Sequence, residues 1–252
     1  MSGHNKWSKI KHTKGKTDAA KGRFFTKAVR EIHNAVKLGG SGDPNMNFKL
    51  RLAIDKAKEV NMPAANIENA IKKATGGGDN VVYENISYEG FAPGKVAMII
   101  DCMTDNRNRT ISNVRAAVEK NGGSIGSAGA VSWMFDRKGI FVFEPGSATE
   151  EKLMEIALDA GADDIISNTD GSFEVTCPVD KFEQVNKALT GAGLKPVSSE
   201  LCMIPKEKTV LKTVDEVKTL LTFLEKVEED DDVQKVFTNY ECDDALMDEA
   251  LK

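Results

Sequence analysis

The chain has 252 residues, of which 40% are hydrophobic and 29% charged, a composition typical of globular proteins with one large domain or several small ones. Its longest uninterrupted apolar run, from Val96 to Ile100, excludes a transmembrane helix, which needs about 20 apolar residues. No apolar segment follows the charged amino terminus, so no secretory signal is expected. Four widely spaced cysteines without a CxxC pair predict reduced thiols in a cytoplasmic protein.

The formal net charge of -5 is unevenly distributed along the chain. Residues 1–75 contain 13 Lys and 3 Arg against 3 Asp and 3 Glu, which gives +10, and the remainder carries -15. All three histidines also lie in the first 33 residues. This reversal of charge favours a polyanion-binding segment attached to an acidic body.

The basic segment is predicted to form three helices. The first covers residues 17–38, with one apolar face: Phe25, Val29, Ile32 and Val36. A basic stripe lies roughly opposite that face: Arg23, Lys27, Arg30 and Lys37. A second helix is expected over residues 47–60 and a third after Pro63, each with an apolar stripe that completes a small bundle. Glycines 76–78 then predict a hinge.

The rest of the chain alternates between strand and helix patterns. Strands are predicted over GKVAMIIDCMT, AVSWMF, KGIFVFEP, KPVSSELCMI and DDVQKVFTNYE, and a hairpin over DDIISN and GSFEVTCP. Helices are predicted over NRTISNVRAAVEKNGG and over EEKLMEIALDAG, which Thr149 can cap. Asp180 with Glu183 and Thr213 with Glu216 match capping boxes at two further helices.

These units match the ferredoxin-like arrangement, so the sequence predicts an α+β multidomain fold: an N-terminal three-helix bundle plus two ferredoxin-like α+β domains, one inserted in the other. The predicted boundaries are a basic helical domain over 1–78, a discontinuous α+β domain over 79–136 and 205–242, and an inserted domain over 137–204. An acidic tail over 243–252 is expected to be mobile.

The basic amino-terminal segment is the first candidate site. Lysines at short intervals neutralise phosphates by releasing counterions, and an exposed Trp can stack on an unpaired base. The candidate nucleic-acid-binding residues are Lys6, Trp7, Lys9, Lys11, His12, Lys14, Lys16, Lys21, Arg23, Lys27 and Arg30. The alternative is a solvated arm whose lysines only aid solubility, and Trp7 can instead pin the arm to the bundle.

The segment TDNRNRT, residues 104–110, is the second candidate, because Arg107 and Arg109 lie at a helix amino terminus, where the macrodipole disfavours cations. They could hold a phosphate or a carboxylate. The alternative is that they pair with Asp101, Asp105 or another domain.

Other motifs favour structural roles. GGSIGSAG, residues 122–129, lacks the phosphate-loop pattern and is better explained as a turn between helix and strand. The acidic run at residues 228–232 lacks calcium-loop spacing and is expected to be a solvated turn. No histidine pair supports zinc, and no catalytic constellation stands out. We therefore predict no metal, no cofactor and no catalytic residue.

Four long motifs in order resemble the YebC/PmpR family over nearly the whole chain. They are GHNKWSKIKHTKGKTDAAKGRFFTKAVREI, LRLAIDKAKEVNMPAANIENAIKKATG, YEGFAPGKVAMIIDCMTDNRNRT and GGSIGSAGAVSWMFDRKG. The resemblance implies a helical amino-terminal domain and two α+β domains, one inserted in the other. It implies nucleic-acid contacts through the first motif (Lys6, Trp7, Lys9, Lys11, His12 and Lys14) and through Arg107 and Arg109.

The resemblance also implies a cytoplasmic, non-enzymatic regulator that does not bind membranes. One hypothesis is a DNA-binding transcriptional regulator. Another is a ribosome-associated translation factor or translational activator that binds rRNA and relieves stalled synthesis, since the family includes a mitochondrial translational activator and members linked to the ribosome. A third, by analogy of fold alone, is a metabolite-sensing module. Direct base readout favours Arg, Asn and Gln on a helix in the major groove, whereas this segment is rich in Lys. The composition therefore argues slightly against sequence-specific DNA recognition.

Overall fold

The computed structural model describes residues 18–76 and 81–252, which form two compact units. One unit contains the described residues before 133 together with 208–252, and the other contains 133–207. Helices and antiparallel sheets are present in the predicted α+β combination. None of the helices in the described ranges is both long enough and apolar enough to cross a membrane.

The amino-terminal helices form a small bundle, as predicted. They are α1 (Asp18–Gly39), α2 (Phe48–Glu59) and α3 (Ala64–Thr75). Their apolar stripes meet in one core that includes Ile32, Val36, Leu50 and Ile67. Val29, expected on the same face of α1, is instead exposed, because Ala28 and Ala35 turn inward beside Ile32.

Asn47 fixes the connection between α1 and α2. Its side-chain oxygen accepts from the Leu50 amide at 3.1 Å, and its nitrogen donates to Ala35 O at 2.9 Å and Ser41 O at 2.8 Å. The amide therefore caps α2 and satisfies one carbonyl in the last turns of α1 and one in the loop that follows. Gly39 leaves room for it, because a Cβ there would lie 2.2 Å from Asn47 Nδ2.

The same unit contains a sheet with helices packed against it. Its strands are β1 (Glu84–Ala92), β2 (Val96–Thr104), β3 (Ser124–Ile125), β8 (Thr209–Val210), β9 (Val233–Thr238) and β10 (Tyr240–Glu241). Four of them form a sheet in the order β3-β1-β2-β9, and β8 pairs with β10. The helices are α4 (Arg107–Lys120), α7 (Val214–Glu228) and α8 (Asp244–Ala250). Alternate residues of β1 and β2 pack against α4 and α7 in a second core.

The second unit also combines a sheet with helices. Its elements are β4 (Phe135–Phe143), α5 (Glu150–Leu153, continued by a wider helical turn over Met154–Leu158), β5 (Asp164–Ser167), β6 (Phe173–Pro178), α6 (Phe182–Gly191) and β7 (Ser198–Pro205). The four strands form an antiparallel sheet in the order β5-β6-β4-β7. Phe141 of β4 stacks on Phe182 of α6, which joins sheet and helix. The predicted hairpin is present as the β5–β6 pair.

Some sequence predictions of local structure are wrong. AVSWMF does not form a strand of its own: a short helical turn covers Ser132–Met134, and Phe135 begins β4. Asp180 does not cap α6, because a helical turn over Val179–Lys181 runs directly into that helix. The capping box of Thr213 with Glu216 is confirmed.

The carboxyl-terminal tail is not the mobile segment that its acidity suggested. It forms α8, and Met247 is fully buried in the core that α7 and the sheet share. The apolar residues Leu246, Ala250 and Leu251 pack against the same core. Burial of these side chains outweighs the charge of the tail.

Candidate nucleic-acid interface

The predicted site residues divide into two groups. Lys6, Trp7, Lys9, Lys11, His12, Lys14 and Lys16 lie outside the described residues. So do residues 77 and 78 of the predicted hinge, whereas Gly76 ends α3. The other candidates lie on α1 and at the start of α4, where their surroundings are described.

The basic stripe of α1 is not one free surface. Lys21 and Lys37 are exposed and Arg23 is half-buried. Lys27 is only 8% exposed, and its ammonium donates to Glu228 O at 2.7 Å. Arg30 donates from Nη1 to Asp231 O at 2.7 Å, and its guanidinium carbon lies 5.7 Å from the centre of the Tyr83 ring.

Lys27 and Arg30 thus meet the acidic turn, which comprises residues 228–232 between α7 and β9. Pairing of β9 with β2 positions this turn: Met103 N donates to Asp232 O at 2.8 Å, and Cys102 lies opposite Val233. The prediction of a solvated turn is wrong for Asp232, which is 3% exposed.

The Asp232 carboxylate collects donors from two helices. Arg30 Nη1 lies 2.7 Å from Oδ1, and Arg109 Nη2 lies 2.8 Å from Oδ2 and 3.0 Å from Oδ1. Thr110 Oγ1 donates to Oδ2 at 2.7 Å. The Asp232 amide itself donates to Asp230 Oδ1 at 2.8 Å. A buried carboxylate needs such partners, because desolvation without them is costly.

These contacts also set the ionisation of the group. Burial of Asp232 opposes its negative charge, but the hydrogen bonds from Arg109, Thr110 and Arg30 outweigh burial and hold its pKa below the ordinary value. Hydrogen bonds to Asp232 and Asp105 in turn raise the pKa of Arg109. The carboxylate is therefore charged at neutral pH.

The two arginines of TDNRNRT have different roles in the structure. Arg109 bridges Asp232 and Asp105, with Nη2 2.7 Å from Asp105 Oδ1. These carboxylates offset the unfavourable position of a cation at the α4 amino terminus, which Asn106 caps. Arg107 is exposed and its Nε lies 2.7 Å from Glu84 Oε2. The structure therefore favours the pairing alternative for Arg109, with Asp232 as a partner in addition to the expected Asp105.

The glycine-rich loop is held by a different carboxylate. Glu89 on β1 accepts from the amides of Gly129 and Val131 at 2.8 Å and of Ser132 at 2.7 Å. Burial raises the pKa of Glu89, but these amide bonds outweigh it and the net shift is downward. The Gly129 amide at the end of GGSIGSAG, with the amides of Val131 and Ser132 that follow the motif, thus already holds an anion from the chain itself, which favours the structural interpretation of the motif.

Sequence reasoning missed Asp232, Thr110 and Glu89. For Asp232 a signal existed, because five consecutive acidic residues complement the basic stripe of α1. Nothing in the sequence indicated the role of Glu89, because its partners are backbone amides, which every residue except proline carries.

The helical bundle carries more positive than negative charge, although that count includes Lys27 and Arg30, which meet the acidic turn. Residues 18–76 carry 11 basic and 6 acidic residues, a net charge of +5, whereas residues 133–207 carry 7 basic and 14 acidic residues, or -7. The exposed lysines of the bundle are Lys21, Lys37, Lys49, Lys58, Lys72 and Lys73. Within the two described ranges, no three His, Cys, Asp or Glu side chains gather as metal ligands.

Comparison with known families matches the chain along most of its length. Residues 5–77 match the sequence profile described as the TACO1/YebC protein N-terminal domain. Residues 83–240 match the profile described as the TACO1/YebC second and third domain.

Individual relatives agree with these profiles. A protein of Geotalea uraniireducens is 49% identical over 251 residues and covers 100% of both chains. One of Cupriavidus taiwanensis is 47% identical over 97% of this chain and 100% of its own. Both are named probable transcriptional regulatory proteins. The crystal structure of a conserved hypothetical protein from Aquifex aeolicus matches with a TM-score of 0.80 and 37% identity, over 95% of this chain and 98% of that one.

Proposed function

We propose that this chain, which belongs to the TACO1/YebC family, is a non-enzymatic, cytoplasmic regulator of gene expression that binds nucleic acid. The observation that carries the proposal is the set of exposed lysines on a helical bundle of net positive charge, in an otherwise acidic chain. Lysines that face solvent bind phosphates through counterion release without fixed geometry. None of the four cysteines, all of which the structure describes, forms a disulfide, which is typical of a reducing compartment.

DNA is the first candidate target, because relatives that match the whole chain are named probable transcriptional regulatory proteins. The binding surface comprises the lysines of residues 1–17 and the exposed lysines of the bundle. Arg107 adds to it, since its exposed guanidinium meets the exposed carboxylate of Glu84. Exposed pairs of this kind are weak and are easily exchanged for a phosphate.

Structured RNA, including rRNA on the ribosome, is the second candidate. The observation that favours it is the excess of 13 Lys over 3 Arg in residues 1–75. Lys acts as a point charge on phosphates, whereas base readout in the major groove relies on Arg, Asn and Gln. Crosslinking in cells, followed by sequencing of bound DNA and RNA, separates the candidates: promoter enrichment supports the first and rRNA enrichment the second.

The binding proposal itself is tested by replacing Lys6, Lys9, Lys11 and Lys14 with Ala. The matched control replaces four lysines of the acidic unit, Lys152, Lys181, Lys187 and Lys195, which removes the same charge. Each lost phosphate contact should lower the logarithmic salt slope on duplex DNA by about 0.9. Equal slopes for the two variants would contradict the proposal.

A further inference from the structure

We propose that the acidic turn at residues 228–232 is an internal competitor of nucleic acid: it occupies Lys27, Arg30 and Arg109, and phosphate groups release these cations by displacing it. The inference rests on the proposed function and adds regulation of that same site. In this arrangement the described structure is the closed state of the basic stripe on α1.

Accessibility is the first argument. Lys27 is almost fully buried, and the Arg30 side chain keeps only 16% of its exposure. Their donor atoms point at Glu228 O, Asp231 O and Asp232 Oδ1. A phosphate can bond these two cations only after the acidic turn has left them.

The chemistry of the donors is the second argument. A guanidinium binds carboxylate and phosphate oxygens in the same forked geometry. Arg109 uses two nitrogens on Asp232: Nε lies 3.3 Å from Oδ2, and Nη2 lies 2.8 Å from Oδ2 and 3.0 Å from Oδ1. The turn also carries five consecutive acidic side chains, so it brings a high density of negative charge to the basic stripe. The acidic turn and a phosphate chain therefore compete for the same hydrogen-bond donors.

The third argument concerns how the two partners are connected. The basic stripe belongs to the bundle, whereas the acidic turn joins α7 to β9 about 200 positions later in the chain. The hydrogen bonds from Lys27 and Arg30 to the turn are polar contacts that lie outside both apolar cores. Displacing the turn from Lys27 and Arg30 therefore breaks polar contacts rather than contacts between core side chains.

The closed state lowers apparent affinity, because only the open fraction binds. Asp232→Asn keeps the shape of the side chain but removes the charge that holds Arg30 and Arg109. Asp231→Asn is the matched control: it removes the same charge from the neighbouring, exposed side chain and leaves the carbonyl that accepts from Arg30. Binding of a labelled RNA of about 20 nucleotides and of a DNA duplex of similar length is measured at one salt concentration.

We expect Asp232→Asn to bind about tenfold more tightly than Asp231→Asn. Equal affinity of the two variants would mean that only net charge matters, and would overturn the inference. Weaker binding by Asp232→Asn would mean that Asp232 holds the arginines in a binding orientation, and would also overturn it.

A measurement on the unmodified chain covers the case in which Asp232→Asn does not fold. Saturation with the same RNA should speed amide hydrogen exchange in residues 228–233, while α6 in the other unit exchanges at its former rate. Unchanged or slower exchange in the turn, with RNA bound, overturns the inference and leaves the proposed function standing. Failure of the unmodified chain to bind either nucleic acid at low salt overturns both.

Discussion

Asp232 and Glu89 are two carboxylates of the same unit that are held in their charged form by different kinds of donor. Asp232 is satisfied by the side chains of Arg30, Arg109 and Thr110, which come from two helices. Glu89 is satisfied by three backbone amides of one short loop. Side-chain donors join segments that lie far apart in the chain, whereas amide donors fix the path of a single segment.

The comparison explains why charged motifs mislead. Arg30 and Arg109 stand out in the sequence as candidate phosphate ligands, yet both bind a carboxylate of the chain itself. The amides of Gly129, Val131 and Ser132, at and just after the end of the glycine-rich loop, bind the Glu89 carboxylate of the chain itself. In both cases the sequence did not reveal which acidic side chain, Asp232 or Glu89, the donors would bind.

The largest expected effect comes from removing the carboxylate at the centre of the side-chain network. Asp232→Ala leaves Arg30 without its charged partner in a poorly hydrated place, and it should lower the free energy of unfolding by about 3–5 kcal/mol. Asp231→Ala, one position away and exposed, should change it by less than about 0.5 kcal/mol. Urea unfolding measures both, and similar losses would show that Asp232 is not a special position.

Arg109 and Arg107 offer the next contrast, two residues apart on α4. Arg109→Ala leaves the buried Asp232 with fewer donors, so we expect a loss of roughly 1–3 kcal/mol. Arg107→Ala removes an exposed pair with Glu84, which contributes at most about 1 kcal/mol. Thermal melting compares them; a larger loss for Arg107→Ala would contradict the assignment of the structural role to Arg109.

The amide-bound carboxylate should have a smaller, local effect. Glu89→Gln replaces a charged acceptor with a neutral amide, which weakens three hydrogen bonds and should cost about 1–2 kcal/mol. Hydrogen exchange at Gly129, Val131 and Ser132 should accelerate, while β2 stays protected. Glu84→Gln on the same strand is the control, since its carboxylate contacts the exposed Arg107 rather than the loop.

The stabilising effect of Glu89 should depend on pH. The pKa of Glu89 is lower in the folded chain than in the unfolded one, where a Glu carboxyl titrates at about 4.3. Its contribution to stability is therefore complete above that pH and is lost as the pH falls through the lower folded value. The difference in unfolding free energy between the unmodified chain and Glu89→Gln should shrink below about pH 4. If this difference in unfolding free energy stays constant from pH 7 to about pH 3, the Glu89 carboxylate is not stabilised in its charged form by the loop amides.

Hydrophobic periodicity predicted much of the fold, because the apolar residues that a helix buries recur at regular spacing along the sequence. Ile67, Ala70 and Ala74 on α3, and Val114 and Val118 on α4, recur at helical spacing in the sequence and are buried in the structure. Tertiary packing overrode local signals elsewhere: Val29 faces solvent, and the acidic tail folds as α8 around Met247. The predicted domain boundaries and binding residues stay predictions.

The sequence by itself determined the family, the α+β class and the concentration of positive charge in the first 75 residues, because motifs, spacing and charge are written along the chain. Only the tertiary structure decided which charges face solvent and which are consumed by internal partners. Coulombic and hydrogen-bond energies depend on distance and burial in space, so Lys27, about 200 residues from Glu228 in the chain, lies 2.7 Å from its carbonyl oxygen.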